Sequence, residues 1–477
     1  MTNKKIFLLL ACVLSCTALW AAPADSTKVT KKAAVSHLKQ HFKPYGFIRN
    51  YFTYDSRECI AVTGDMYFYM PKDENWNKTT DPALLEDLNA QSTFRFLSLT
   101  TRVGLNIVGY KWRNTEFSGK IEADFYAGIS ANSSTGVKQT HAVTGTAQFR
   151  LRQAYVALGW DSLPMLNGKD FARVDLTIGQ TWHPMAADLC DVIALNSGAP
   201  FGPFNRSPQV RMDARLGKYF TLTAAGLWQM QYNSIGPDGQ SAEYMAYSKT
   251  PEAYLGLSFH DKGWIIRAGA DVLSIKPRHL GKAVPTPGDT VTVTVKDRLT
   301  TASPFLYVQY KKGDFSIKAK TIFAESGEHM NMNGGYGVKK VNADGSYDYT
   351  PTRTSSTWIS LVYGGKVGAQ EDKHPQKLQG ILFAGYVENL GTKDPLATKA
   401  DGSLVGFYYP RVKNMNRMWR LTPTLLYTVG KFQVGLEYDI TSVHYGDGKL
   451  DAANGLSKNG LHWVTNHRVQ LMTKYNF

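Results

Sequence analysis

Arg150 and Arg152 stand two residues apart, Arg211 and Arg215 four apart, and Glu122 and Asp124 repeat the even spacing with the opposite charge. Side chains of an extended chain alternate between two faces, so residues an even number apart share one face. Such a face attracts, orients and screens ions, but it carries no nucleophile and no proton shuttle. None of the eleven histidines lies in a Gly-x-Ser-x-Gly elbow or a His-Glu-x-x-His helix, the settings in which a serine or a zinc ion becomes reactive. Gly364-Gly-Lys-Val-Gly368 ends a strand and lacks a phosphate-loop layout. No catalytic residue, metal ligand or cofactor is therefore expected, and His183 reads as a pore or rim residue.

The elements that carry these faces are strands. Over the last twelve residues Val469, Leu471, Thr473, Tyr475 and Phe477 share one parity, while Asn466, Arg468, Gln470, Met472, Lys474 and Asn476 share the other. A chain that ends on two bulky aromatics suits the interfacial girdle of a membrane β-barrel. The aromatic count of 26 Tyr, 22 Phe and 10 Trp agrees, since these residues favour strands and lipid interfaces. Lys4 and Lys5 precede an apolar run, Ile6 to Leu19, with Ala21 and Ala22 behind it. This is the layout of a signal peptide over 1–22. No later stretch reaches the roughly 18 apolar residues of a membrane helix.

Without Lys4 and Lys5 the chain keeps 52 basic against 39 acidic residues, a net charge of +13. An exported chain meets no nucleic acid, so acidic lipid headgroups, lipopolysaccharide and small anionic solutes are the expected partners. Cys59 and Cys190, the two cysteines beyond the signal, fall in loops where a single disulfide is possible.

Reading for period two gives sixteen segments, with eighteen as the alternative: 44–57, 93–108, 115–129, 146–160, 172–182, 207–216, 219–232, 252–261, 263–275, 301–312, 314–325, 354–365, 377–389, 415–429, 431–443 and 464–477. Long polar links alternate with brief ones such as Gly217-Lys218, Lys312-Gly313 and Gly430. The expected fold is an all-β, transmembrane antiparallel β-barrel over 44–477, with long extracellular loops, short periplasmic turns and a short periplasmic segment at 23–43. A spanning sheet has to close, because an edge amide facing lipid has no partner.

Setting the apolar parity toward lipid orients the charges, because an Arg or Lys at mid-bilayer costs roughly 2–4 kcal/mol. Arg49, Arg57, Arg102, Lys120, Arg150, Arg152, Arg211, Arg215 and Arg468 then face the lumen, together with Glu122, Asp124 and Asp213. The arginines form either a basic wall that draws in anions or a network neutralised by the acids; both can hold at once. Residues 183–206, rich in Ala, Pro, Gly and Phe, are too apolar to wave in water. Folded into the pore, this loop would set Asp188 and Asp191 across a constriction from the basic wall. Packed outside, it would be a subunit-contact lobe.

Phe149-Arg-Leu-Arg-Gln-Ala-Tyr-Val156, Ile178-Gly-Gln-Thr-Trp182, Phe204-Asn-Arg-Ser-Pro-Gln-Val-Arg-Met212 and Tyr45-Gly-Phe-Ile-Arg49 resemble strands of the DcaP-like outer-membrane porins, over about residues 45–232. The resemblance implies a homotrimer of sixteen-stranded diffusion channels in a Gram-negative outer membrane, with a basic lumen that favours anionic solutes, dicarboxylates among them. It departs from the family at 23–43, which lacks the heptads of the periplasmic coiled-coil arm that members often carry. The other readings are a surface adhesin working through its long loops and an outer-membrane barrel hydrolase.

Overall fold

The computed structural model describes residues 40–62, 67–98, 100–126, 148–164, 170–286, 288–368, 374–409 and 412–477. The signal peptide expected at 1–22, nearly all of 23–43 and the link 130–145 lie outside them.

The wall of the molecule consists of sixteen antiparallel strands: β1 (Phe42–Asp55), β2 (in two pieces, Thr93–Leu97 and Arg102–Trp112), β3 (Thr115–Tyr126), β4 (Gln148–Pro164), β5 (Asp170–Trp182), β6 (Arg206–Leu216), β7 (Phe220–Leu227), β8 (Glu252–Asp261), β9 (Trp264–Ile275), β10 (Leu299–Lys312), β11 (Phe315–Glu325), β12 (Tyr347–Tyr363), β13 (Gln376–Thr392), β14 (Met415–Val429), β15 (Phe432–Tyr445) and β16 (His462–Asn476). Each strand pairs with the next, and β1 pairs with β16 from Phe47↔Asn476 to Asp55↔Arg468. The barrel is closed. Sixteen, not eighteen, is the count, and three short strands, Tyr336–Val341, Lys366–Val367 and Phe407–Tyr408, join the sheet outside the wall.

Two-residue alternation accounts for the two surfaces. Along β16, Asn466, Arg468, Gln470 and Met472 are buried, whereas Val469, Leu471, Tyr475 and Phe477 are exposed. Along β3, Ile121 is 50% exposed while Glu122 and Asp124 are buried; Ala123, on the apolar parity, is buried as well. The outer surface is consequently a belt of exposed apolar side chains, including the stacked pair Phe52 and Phe96. Among the described residues no helix is long and apolar enough to cross a membrane; this chain crosses with strands. Tight turns close one end. Asp261 pairs with Trp264 around Lys262 and Gly263, whose φ angles of 44° and 92° are the left-handed pair that a two-residue hairpin loop requires.

The largest apolar core lies among the loops and the inner wall. Met185, Phe201 and Phe204 from the link between β5 and β6 pack with Tyr69, Met70, Trp358, Phe383, Met415 and Met418. Tyr69 and Met70 come from a hairpin, Cys59–Val62 with Tyr67–Pro71, that sits inside the first long link. Sequence periodicity had assigned that link no strand. The segment expected at 93–108 is broken at 98–101, and the strand expected at 219–232 ends at Leu227. Cys59 and Cys190 are free thiols, both buried, so the possible disulfide does not form. Burial pushes both thiols up, that of Cys190 to about 12, which makes them poor thiolates.

Candidate functional site

The basic wall is assembled by register. Pairing of β3 with β4 sets Asp124 opposite Arg150, and pairing of β2 with β3 sets Arg102 opposite the same Asp124. Arg150 holds Asp124 through two parallel bonds, Nε to Oδ1 at 2.8 Å and Nη2 to Oδ2 at 2.9 Å. Arg152 bridges two acids, Nε to Glu122 Oε1 at 2.9 Å and Nη1 to Asp124 Oδ2 at 2.7 Å. Glu122 also receives the Tyr45 hydroxyl at 2.8 Å and lies 3.6 Å from Arg102 Nη1. Two carboxylates thus bind three arginines in place. Bidentate, charge-assisted bonds fix the guanidinium planes.

Arg49 is held differently. Its Nε donates to Thr100 Oγ1 at 3.0 Å, and its guanidinium lies 4.8 Å from the Phe47 ring centre and 5.3 Å from that of Tyr51. Among the described residues it has no carboxylate partner. Lys474 stands over the other side of this region, 4.6 Å from the Phe47 ring.

These groups line one cavity of ≈ 340 Å³, with Arg49, Arg102, Arg150, Arg152, Lys474 and Asp124 on the wall and residues of the link 183–205 opposite. That link reaches across the barrel interior. The Tyr51 hydroxyl donates to Ile193 O at 2.6 Å, Ile193 N donates to Glu437 Oε2 at 2.9 Å, and Arg420 Nη1 donates to Ala199 O at 3.0 Å. Ser356 Oγ donates to Phe201 O at 2.6 Å, so β1, β12, β14 and β15 all grip it. Most of its apolar residues are buried, whereas Leu189, Val192 and Leu195 are half-buried and Ala187 is exposed.

Asp188 and Asp191 are answered from the wall opposite the arginines. Asp191 lines the cavity, yet its carboxylate is paired to Lys318 at 2.6 Å and accepts from Ser360 at 3.1 Å. Asp188 pairs with Arg267 and lies 4.0 Å from Lys320. The expected facing of these acids onto the basic wall is therefore replaced by pairing with β9 and β11.

The other sequence-derived candidates scatter. Arg57 lies beyond β1 and pairs with Asp87 of the first long link at 2.9 Å, not in the lumen wall. Arg468 is locked bidentate to Asp55, at 2.8 Å for both bonds. Lys120 stands 5.2 Å from the Tyr45 ring and Arg211 pairs with Asp213 at 2.8 Å. Arg215 is exposed, and none of these five lines the cavity. Sequence reasoning singled out neither Lys474, whose parity places it beside Arg468, nor the fully buried Arg206, whose guanidinium stacks 4.8 Å from Trp182. His183 is no rim group. It is buried beside Glu252, Asp271 and His329, and although burial disfavours the imidazolium, the facing carboxylates carry His183 to about 9 and His329 well above the usual range.

No family model and no curated protein sequence matches the chain. Among solved structures it is similar to the outer-membrane channel DcaP of Acinetobacter baumannii, with 17% identity, 91% of this chain and 97% of that chain covered, and a TM-score of 0.58. An anion-selective porin from Comamonas acidovorans matches at 11% identity over 91% and 99% of the two chains, TM-score 0.47. OmpF of Salmonella typhi matches at 12% identity over 91% and 97%, TM-score 0.43. The chain has the fold of the DcaP channel. A closed barrel with an apolar outer belt belongs in the outer membrane of a Gram-negative bacterium.

Proposed function

We propose that this barrel is a porin through which small hydrophilic solutes, preferentially anions, diffuse passively down their gradient. The observation that carries the reading is the charge of the cavity wall. Arg49, Arg102, Arg150, Arg152 and Lys474 supply five positive charges, and the two acids they contact, Glu122 and Asp124, return two. Asp191 adds nothing to the balance because Lys318 is bound to it. The wall therefore keeps a net +3 beside a loop whose nearest surface is largely apolar: Leu189, Val192, Ile193, Ala194 and Leu195.

Low-dielectric walls focus such a field into the aqueous space between them, raising the local concentration of anions and lowering that of cations. The fixed guanidinium planes present donors to carboxylate or phosphate oxygens without reorganising. Acids on the same wall hold the arginines apart and orient them, so the neutralising network and the attracting field are one structure. The link 183–205 supplies the narrowing, and the assembly is proposed as a homotrimer in outer-membrane lipid. Single-channel recording from the purified protein in planar bilayers tests this. Stepwise conductance that small organic anions reduce is expected; a protein that inserts without conducting overturns it and leaves the adhesin reading in its place.

A further inference from the structure

His183, Glu252, Asp271 and His329 come from four separate elements: the start of the inward link, the first residue of β8, the far end of β9 and the loop after β11. All four are at most 1% exposed. His183 Nε2 lies 2.7 Å from Glu252 Oε1 and 3.5 Å from Asp271 Oδ1. His329 Nε2 lies 3.3 Å from the same Glu252 Oε1 and 3.7 Å from Asp271 Oδ2. The ligand atoms of His183, Glu252 and Asp271 all fall within 4.8 Å of one another.

Three of these buried atoms, Glu252 Oε2, Asp271 Oδ1 and His329 Nε2, have no hydrogen-bond partner. A buried polar atom left without a partner is costly, and more so when charged, so three of them within one cluster of side chains call for a common occupant. The two imidazoles differ in what they offer. His329 Nδ1 lies 3.1 Å from the Ser326 carbonyl, which only a donor satisfies; a proton therefore sits on Nδ1, and Nε2 is the ring atom that faces the carboxylates. Such a bond from the remote nitrogen to a backbone carbonyl is how metal-binding histidines are oriented. His183 Nδ1 accepts the Met185 amide at 3.1 Å, so its proton is on Nε2 and is donated to Glu252.

We propose that Glu252, Asp271 and His329 Nε2 bind a divalent transition-metal ion, with His183 as the positioning residue that holds Glu252. Charge supports a dication. Two buried carboxylates need two positive charges, since each uncompensated ion costs several kcal/mol. Geometry agrees: bonds of about 2.0–2.1 Å around a tetrahedral ion place its ligands about 3.4 Å apart, and the His329 nitrogen sits at 3.3 and 3.7 Å from its two oxygen partners. The second carboxylate oxygens, Glu252 Oε2 and Asp271 Oδ1, supply the remaining donor. One nitrogen with carboxylate oxygens suits borderline ions such as Zn²⁺, Co²⁺ or Mn²⁺. An ion here would rivet β8 and β9 to the loop after β11. His183 would tie the root of the inward link to it.

The test uses the full-length protein in detergent, purification tag removed, stripped with a chelator, dialysed and titrated calorimetrically with ZnCl₂, CoCl₂ and MnCl₂. One ion per chain is expected for at least one of the three. His329→Ala is expected to abolish it, and His183→Asn to weaken it about 10–100-fold. Should His329→Ala fail to give the folded band of an unboiled gel, the isosteric Asp271→Asn and X-ray absorption of the metal-loaded wild type decide. A shell of one nitrogen and oxygens at about 2.0–2.1 Å for zinc is expected. Absence of stoichiometric binding for all three ions, binding retained by folded Asp271→Asn or His329→Ala, or a shell without nitrogen overturns the proposal.

Discussion

Arg49→Ala is the cleanest probe of the lumen field, because Arg49 is tethered by Thr100 and two aromatic rings and leaves no carboxylate stranded when removed. An ion passing about 6 Å from the guanidinium feels about 0.7 kcal/mol in water, which physiological salt cuts by roughly half, to about 0.3 kcal/mol. That energy lowers anion occupancy about 1.7-fold on its removal and raises cation occupancy equally, so the anion-to-cation permeability ratio falls about threefold. Arg49→Glu changes the wall by two charges, and the ratio then falls about tenfold by the same arithmetic. The assay is the zero-current potential of bilayers containing each variant across a salt gradient. Single-channel conductance checks that the pore itself is intact. A zero-current potential unmoved in both variants, at normal conductance, refutes the reasoning that the +3 wall governs selectivity.

Arg150→Ala with Arg152→Ala removes two charges from the same wall and strips Asp124 of its three guanidinium bonds; selectivity is expected to fall about ninefold, with a lower melting temperature of the folded band on gels. Arg420→Ala takes away the donor to Ala199 O, Tyr69 O and Thr441 and leaves buried Asp439 without its cation. It is expected to cost about 3–5 kcal/mol, read as earlier thermal unfolding together with noisier, larger conductance as the inward link loosens. Gly179→Ala sets a methyl 2.3 Å from Ala154 O at a φ of 131°, so β4 and β5 are forced apart. The expected result is little or no heat-modifiable folded band, and a normally folded, normally conducting Gly179→Ala barrel would contradict the register of these strands.

The barrel was legible because lipid enforces the rule that reveals it. Every strand has one face against acyl chains, so Val469, Leu471 and Tyr475 alternate with Arg468, Gln470 and Lys474 over a run too regular to mistake. Parity identified Arg49, Arg102, Arg150 and Arg152, four of the five cations of the cavity wall. It did not separate them from Lys120, Arg211, Arg215 and Arg468, because parity gives a face and says nothing of height along the strand or of the neighbour across it. Arg468 meets Asp55 only through the β1–β16 closure, and Arg150 meets Asp124 only through a bulged register. Arg57 was misplaced because β1 ends two residues before it. The hairpin bearing Tyr69 and Met70 escaped notice since its residues serve the interior on both faces, which erases alternation. His183, Glu252, Asp271 and His329 are separated by links of no fixed length, and no spacing in the chain announces their meeting.

The sign of the wild-type zero-current potential, measured with the purified barrel in a planar bilayer between two concentrations of potassium chloride, tests the central claim most directly. An anion-drawing lumen predicts a potential shifted toward the chloride equilibrium value. A shift toward the potassium value contradicts it.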